Sequence, residues 1–466
     1  MAMEKREESQ GPLIEEGDSP KLRTYKRRWF ILLMYMIYNA LGSFQWICYS
    51  SITNLVVEYY GVNSILVDWT SIAYNAIYPL LVVPASYIID KQGLRAAGVL
   101  GCCLTFLGTS LKLFSFHRDR FYVVVIGQII LAISNVLVAC LPSKLAAVWF
   151  STKEVTIACS LGVFGSQIGV ALGYIFPSVI VNNHDSPETI GEGLRNLTWL
   201  LVLIAAPVTT GVLCYFPNEP PVPPSIVQAK IRDSKEDFQN KVFFNSLKDL
   251  FLNKPFVILM VAYGINIGVY SAVSTLLNQF ILQYFEDADT DVGRMGCCMV
   301  LAGLCGAIGF SIVLDKTLKF KAITIVIYMF SIISVVFFMY ALESRIKWLT
   351  YLSCASVGLF TTAFMPVGFE FAMEMTYPAE ESTTSGILMA MTQILGVVFT
   401  ISLGVLNKNL GCFWALASQA FLLSIGALVH LFVPSNVLLR QDALNQINYG
   451  SKRLEHHRSS RLVYIQ

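Results

Sequence analysis

Long apolar stretches recur along the whole of this 466-residue chain, and their length decides the class of fold. Roughly twelve of them run for about 20 residues each, long enough for a helix to cross the hydrocarbon of a bilayer. Backbone groups inside hydrocarbon must be paired within their own segment, so such stretches predict helices rather than open sheet. Their approximate limits are 28–52, 64–89, 94–116, 121–144, 155–181 and 197–216, then 255–284, 292–314, 320–342, 347–375, 382–406 and 410–433. Composition agrees, with 55% hydrophobic and 14% charged residues, whereas a soluble domain carries roughly 25% charged. The expectation is an all-α polytopic membrane protein.

Basic residues gather in alternate loops. Lys21, Arg23, Lys26, Arg27 and Arg28 precede the first span, and Lys91 and Arg95 follow the second. Lys230, Arg232, Lys235, Lys241, Lys248 and Lys254 lie after the sixth, and Arg440, Lys452, Arg453, Arg458 and Arg461 after the last. The opposite loops hold Asp185, Glu188, Glu192, Glu286, Asp287, Asp289 and Asp291. By the positive-inside rule both termini are expected in the cytoplasm, which requires an even number of spans. The expected division is a disordered cytoplasmic tail over 1–27, a six-helix bundle over 28–216, a cytoplasmic linker over 217–254, a second six-helix bundle over 255–433 and a cytoplasmic tail over 434–466. The linker opens with the Pro-rich run NEPPVPPS. Nothing resembles an organelle retention signal, so the plasma membrane is the expected location.

Several classes of function are excluded at this stage. A net charge of +2 suggests no nucleic-acid role. The 11 cysteines fall almost entirely within apolar segments and show no metal or disulfide spacing. His117, His184, His456 and His457 lie in loops or the tail and His430 near the end of the last span. No paired His and Asp gather at a membrane face, so no enzyme, metal site or cofactor is expected. Asn196-Leu-Thr198 forms a glycosylation sequon on the expected outer side, abutting a span.

The two halves echo each other. Span two ends in Asp90-Lys91-Gln92-Gly93-Leu94-Arg95, and span eight in Asp315-Lys316 with Lys319 and Lys321 beyond. An acid at a helix end facing basic residues in a tight turn can latch neighbouring helices in one conformation; ordinary solvated flanking charge is the blander reading. Glu370 and Glu374, one turn apart, read either as a proton or ion site or, the favoured expectation, as an anchor for the cytoplasmic end of span ten near the Asp315 turn. The paired turns, the twelve spans and the central linker resemble the major facilitator superfamily.

A second echo bears on substrate. Gln167 lies near the middle of span five and Gln393 near the middle of its counterpart, span eleven. An unpaired amide there costs several kcal/mol, so each must face a partner or a cavity. Span one carries Gln45 and Trp46, and span seven carries Tyr270. Trp46 reads either as a cavity wall or as an interfacial belt residue beside a helix–helix hydrogen bond. Asn75, Gln128 and Asn135 read as interhelical glue, and Asp68 and Lys112 as charges near the outer ends. With no central carboxylate, proton coupling lacks an obvious carrier, and facilitated movement is the simpler expectation. Aromatic faces and a few amides suit a small organic cation, because aromatic rings replace the hydration of a quaternary ammonium.

Longer strings point to a family. YKRRWF, FQWI, the Asp68-Trp69 segment, DKQGLR, PSKLAAVWF with the following KEV, STLLNQ and GFEFAMEMTYP are similar to the feline leukaemia virus subgroup C receptor (FLVCR) transporters. The resemblance covers most of residues 25–433. It implies a choline and ethanolamine carrier of the major facilitator superfamily, with haem export as the alternative, acting as a monomer in the bilayer. It implies that Trp46 faces the cation and that Gln167 and Gln393 are cavity glutamines. Two positions depart: Gly42 stands where the family usually has Asn, and Tyr270-Ser271 where it tends to have Phe-Tyr. The residues expected to contact substrate are therefore Trp46, Gln167, Tyr270, Gln393, Ser271 and Gln45.

Overall fold

A computed structural model describes residues 23–151, 154–181, 187–224, 248, 250–286, 288–376 and 381–434. Among these residues there are helices and no strands. Twelve helical segments are long and apolar enough to cross a membrane. The first is divided into α1 (Arg27–Ile47) and α2 (Thr53–Tyr60). The second and third form one long element, α3 (Ser64–Leu111). Then follow α4 (Phe121–Trp149), α5 (Val155–Ile180) and α6 (Pro187–Tyr215). After the linker come α7 (Lys254–Leu282), α8 (Asp289–Thr317), α9 (Phe320–Glu343), α10 (Lys347–Thr376), α11 (Glu381–Leu410) and α12 (Cys412–Leu431).

Local chemistry sets the ends of several elements. Asn63 caps α3 by accepting from Ile65 N–H, and Asn253 caps α7 by accepting from Phe256 N–H, with Pro255 in the first turn. Gly61 ends α2 at φ 65°, the left-handed conformation that a glycine adopts without penalty. Gly93 joins the two spans of α3 at φ 87° and ψ 176°. A Cβ at Gly93 would also lie 2.2 Å from the Asn218 side chain. Only glycine meets both conditions.

The helices approach through small residues, as packing without a hydrophobic drive between apolar surfaces requires. On α5, Gly165, Gly169 and Gly173 recur every four residues along one stripe, directly against the backbone of α1 at Met36, Ala40 and Phe44. A Cβ at Gly169 would stand 2.1 Å from Ala40 O. In the later half the same close approach uses Gly264 and Gly268 of α7 against Met391, Leu395 and Gly396 of α11. Large apolar side chains such as Leu80, Leu107, Leu203 and Phe421 cover the outside.

The largest buried cluster is built chiefly from α7–α12 and takes in Ile47, Val170, Ala171 and Tyr174 from the first six spans. Two others, around Tyr35 and Trp149 and around Leu55 and Leu197, belong to the first six spans alone. All 11 cysteines are free thiols; Cys48, Cys102, Cys354 and Cys412 are buried and Cys103, Cys214 and Cys305 exposed.

Candidate functional site

Trp46 stands at the seam. It is half-buried and packs both against the largest cluster, which takes in residues of both halves, and against Tyr74, Leu131 and Ala132 of the first half. Its indole Nε1 is buried without an acceptor. Tyr270, also half-buried, packs against the same largest cluster. Its neighbour Ser271 accepts a hydrogen bond from Asn75 Nδ2 at 3.1 Å, so Asn75 reaches from α3 across to α7 rather than gluing one half together. A Cβ on Gly396 of α11 would lie 3.3 Å from Asn75 Nδ2 and 3.5 Å from Ser271 Oγ. The α3, α7 and α11 helices thus meet at this point, one turn from Gln393.

Gln167 and Gln393 are half-buried, and neither has a hydrogen-bond partner among the described residues. Gln167 sits between Gly165 and Gly169, the contacts that hold α5 to α1. Ser43 and Ser166 share a 2.8 Å hydroxyl bond beside it. Gly42 has a neighbour that bears on its departure from the family pattern: its Cβ position lies 3.3 Å from Asn135 Oδ1. An amide from α4 therefore stands where the family Asn of α1 would project.

Gln45 is a correction. Its side chain is fully buried inside the first half, where Nε2 donates to Thr109 Oγ1 at 2.9 Å and Oε1 accepts from Lys112 Nζ at 3.1 Å. Adjacent helical residues point about 100° apart, so Gln45 and Trp46 face different neighbours. With both amide atoms committed, Gln45 is not a substrate contact. Lys112, expected near the surface, is only 1% exposed, and Asp68 only 3%. A lysine at a span's end ordinarily snorkels to water, and sequence alone offers no signal that this one turns inward.

Hydrogen bonds tie the two halves along one face, and apolar contact continues toward the other, where Met389 of α11 packs against the cluster of Tyr78, Ala85, Val136 and Leu137. Seven hydrogen bonds cross between the halves among the described residues, and all involve α7 from Ser271 to Gln279 or Asp289 at the start of α8. Gln279 Nε2 donates to Asp68 Oδ1 at 2.8 Å, Asn54 Nδ2 to Asp289 Oδ1 at 2.7 Å, and Tyr174 Oη to Ser274 O at 2.7 Å. Asn278 Nδ2 donates to Ser51 O and to Asn54 Oδ1. On the face where α1 begins and α12 ends, two further ties run within one half each. Arg28 pairs with Glu154 at 2.9 Å, and Lys321 Nζ donates to Leu431 O at 3.0 Å.

Of the expected latch, the side chains of Asp90 and Asp315 lie outside the described residues. Arg95 is exposed; its backbone N–H donates to Asn218 Oδ1 at 3.2 Å and its guanidinium to Leu213 O at 3.4 Å. The turn after span two is thereby pinned to the end of α6. Glu374 is buried and Glu370 exposed. Between them Phe371 stacks on Phe320, with centroids 5.6 Å apart, which brings the end of α10 to the start of α9. Asn196 is exposed within α6, and its sequon partner Thr198 is buried, donating to Leu194 O. A groove of ≈ 420 Å³ lined by Ile175, Arg294, Cys297, Leu301 and Cys305 lies apart from all these residues.

Comparison with known proteins now bears on the family. Residues 33–400 match the Major Facilitator Superfamily. The choline/ethanolamine transporter flvcr2b of Danio rerio is 35% identical, over 92% of this chain and 87% of its own length. The choline/ethanolamine transporter FLVCR2 of Homo sapiens is 32% identical over 95% of this chain and 84% of its own. An uncharacterized MFS-type transporter of Caenorhabditis elegans is 38% identical over 92% of this chain and 73% of its own. In fold, the chain resembles a bacterial homolog to the human lysosomal transporter Spinster, with TM-score 0.71 and 13% identity over 90% of this chain and 99% of that one. It also resembles the D-xylose-proton symporter, with TM-score 0.70 and 14% identity over 87% and 98%. The chain is a multi-pass membrane transporter, not an enzyme, and belongs to the FLVCR family of the Major Facilitator Superfamily.

Proposed function

We propose that this protein carries choline, and ethanolamine with it, across the plasma membrane by facilitated alternating access between two six-helix bundles, 28–216 and 255–433, joined by the linker 217–254. The observation that carries the reading is Trp46: a half-buried indole packed against the cluster that joins the two halves, with Tyr270 on that same cluster. Aromatic faces of this kind stabilise a quaternary ammonium by about 0.5–2 kcal/mol each, more as water is excluded. Gln167 and Gln393, one from each bundle and without other partners, hydrogen-bond the hydroxyl or amine end. Asn135 beside Gly42 compensates for the amide that α1 lacks, and Ser271 is tied to Asn75.

Both termini lie in the cytoplasm on this reading, so the face closed by the seven crossing bonds is extracellular. The crossing bonds then form the outer gate of the carrier, and their rupture admits substrate from outside. Asp90, Arg95, Asp315, Glu370 and Glu374 belong to the latches at the inner ends. The proposed substrates follow from the site chemistry and from the names of the relatives together.

The test is saturable uptake of labelled choline into cells expressing the protein, with ethanolamine and haem as competitors, beside Trp46→Ala. Competition by ethanolamine is expected, together with a KM raised by about ten-fold or more in Trp46→Ala at unchanged surface abundance. Competition by haem alone, with no choline uptake by surface-resident protein, would replace the choline reading with haem export.

A further inference from the structure

Span one loses its regular helix at its most polar point. α1 ends at Ile47, a tighter turn covers Ser50–Ile52, and α2 begins at Thr53. Cys48 N–H donates to Phe44 O at 3.1 Å, and the next backbone bond of this stretch closes from Ile52 N–H to Tyr49 O at 3.3 Å. Carbonyls at a helix end lack intrahelical donors, and inside a membrane protein they need substitutes. Two other helices provide them. Gln128 Nε2 of α4 donates to Gln45 O at 2.9 Å, and Ser71 Oγ of α3 donates to Trp46 O at 2.7 Å. The peptide groups on both sides of the Trp46 Cα are therefore gripped from outside α1.

Lys112 completes this knot. Its ammonium donates to Gln128 Oε1 at 2.7 Å and Gln45 Oε1 at 3.1 Å, and lies 5.0 Å from the centroid of the Tyr49 ring. Among the described residues it has no carboxylate partner. A buried ammonium is expensive unless its surroundings replace water. Here two amide oxygens, an aromatic face and the negative end of the α1 dipole do so. Gln45 Nε2 extends the chain to Thr109, whose hydroxyl donates to Thr105 O at 2.7 Å. Ser71 and Gln128 thus hold the two peptide groups that flank the Trp46 Cα, and Lys112, Gln45 and Thr109 tie Gln128 to the rest of the first half.

We propose that Lys112 and Gln128 are positioning residues for Trp46: they clamp the broken end of α1, and through it they set where the indole meets the substrate cation. The proposal rests on Trp46 lying at the substrate site, as proposed above. It also assigns a role to the break itself. Asn278 of the later half donates to Ser51 O, within the irregular turn. The outer gate therefore pulls on one side of that turn while the Lys112 knot holds the other. Trp46 stays with the first half as the gate moves.

The test is labelled-choline uptake against concentration, normalised to surface protein, for wild type, Lys112→Met, Trp46→Phe and the double variant. Lys112→Met removes the donor without leaving a buried charge, so the fold loses no counter-ion. KM is expected to rise about five- to ten-fold in Lys112→Met, with maximal rate per molecule held within about two-fold. The double variant is expected to bind no more than about two-fold worse than Trp46→Phe, because the knot acts through the ring. A wild-type KM in Lys112→Met overturns the proposal, and so does a fully multiplicative double variant, which marks a role independent of Trp46. Should Lys112→Met fail to reach the membrane, Ser71→Ala removes the bond to Trp46 O, and with it the 2.6 Å bond to Ser50 Oγ, with little change in volume. Its expected KM increase is about three-fold, and a wild-type KM there overturns the proposal equally. Wild-type kinetics in Trp46→Phe and Trp46→Ala, with Lys112→Met impaired, would instead overturn the site assignment itself.

Discussion

Gln167 and Gln393 lie at corresponding places in spans five and eleven, both half-buried, and each keeps its amide unpartnered among the described residues. An amide in that setting is unfavourable by about 1–3 kcal/mol unless something else pairs with it, which is the reason to give both to the substrate. Replacing either by Ala should raise the KM for choline by about five-fold. The same variants should leave inhibition by tetramethylammonium within about two-fold, because that cation has no hydroxyl to lose. Equal losses for both cations would mean that the glutamines support the cavity rather than read the hydroxyl. At this scale the sequence was partly legible. The glutamines and Trp46 stood out because a polar or amphipathic group inside an apolar run demands a reason. Gln45 stood out for the same reason and was misassigned, because its partner Lys112 lies 67 residues away. Nothing local to span three says that its terminal lysine turns inward.

Helix spans were legible for a different reason: length and hydropathy report them directly, although the structure starts α6 ten residues earlier than expected, at Pro187, and carries span one on to Tyr60. What periodicity could not announce is how they touch. The stripe of Gly165, Gly169 and Gly173 is visible as a repeat, but its partner α1 is known only from the fold. The break between α1 and α2 carries neither Pro nor Gly, so no local breaker marks it; tertiary hydrogen bonds hold it open. Gly169→Val should be the most damaging single change on the stripe, since its Cβ would stand 2.1 Å from Ala40 O. Backbone cannot rotate away as a side chain can, so α5 must separate from α1, at about 1–3 kcal/mol or more. Detergent-solubilised Gly169→Val should unfold several degrees below wild type, whereas Gly309→Ala, with nothing within 4 Å of its Cβ, should unfold normally. Equal melting temperatures for Gly169→Val and wild type would refute this account of the α1–α5 contact.

Across the whole molecule, polar ties between the halves concentrate on one face. That face carries Asp68 and Asp289, each accepting from an amide of the opposite half. The sequence placed acidic residues in these loops but could not show that they pair across the seam, since residues 68 and 279 meet only after both halves have assembled. On the proposed function, with aromatics binding the cation and no central carboxylate among the described residues, the carrier needs only the substrate gradient to cycle. The measurement that decides this is counterflow in proteoliposomes without any ion gradient. Vesicles holding wild-type protein and unlabelled choline inside should accumulate labelled choline transiently, and vesicles holding Trp46→Ala should not. Absence of choline counterflow from wild-type protein inserted in the vesicles, or counterflow at wild-type rate in Trp46→Ala, would contradict the account.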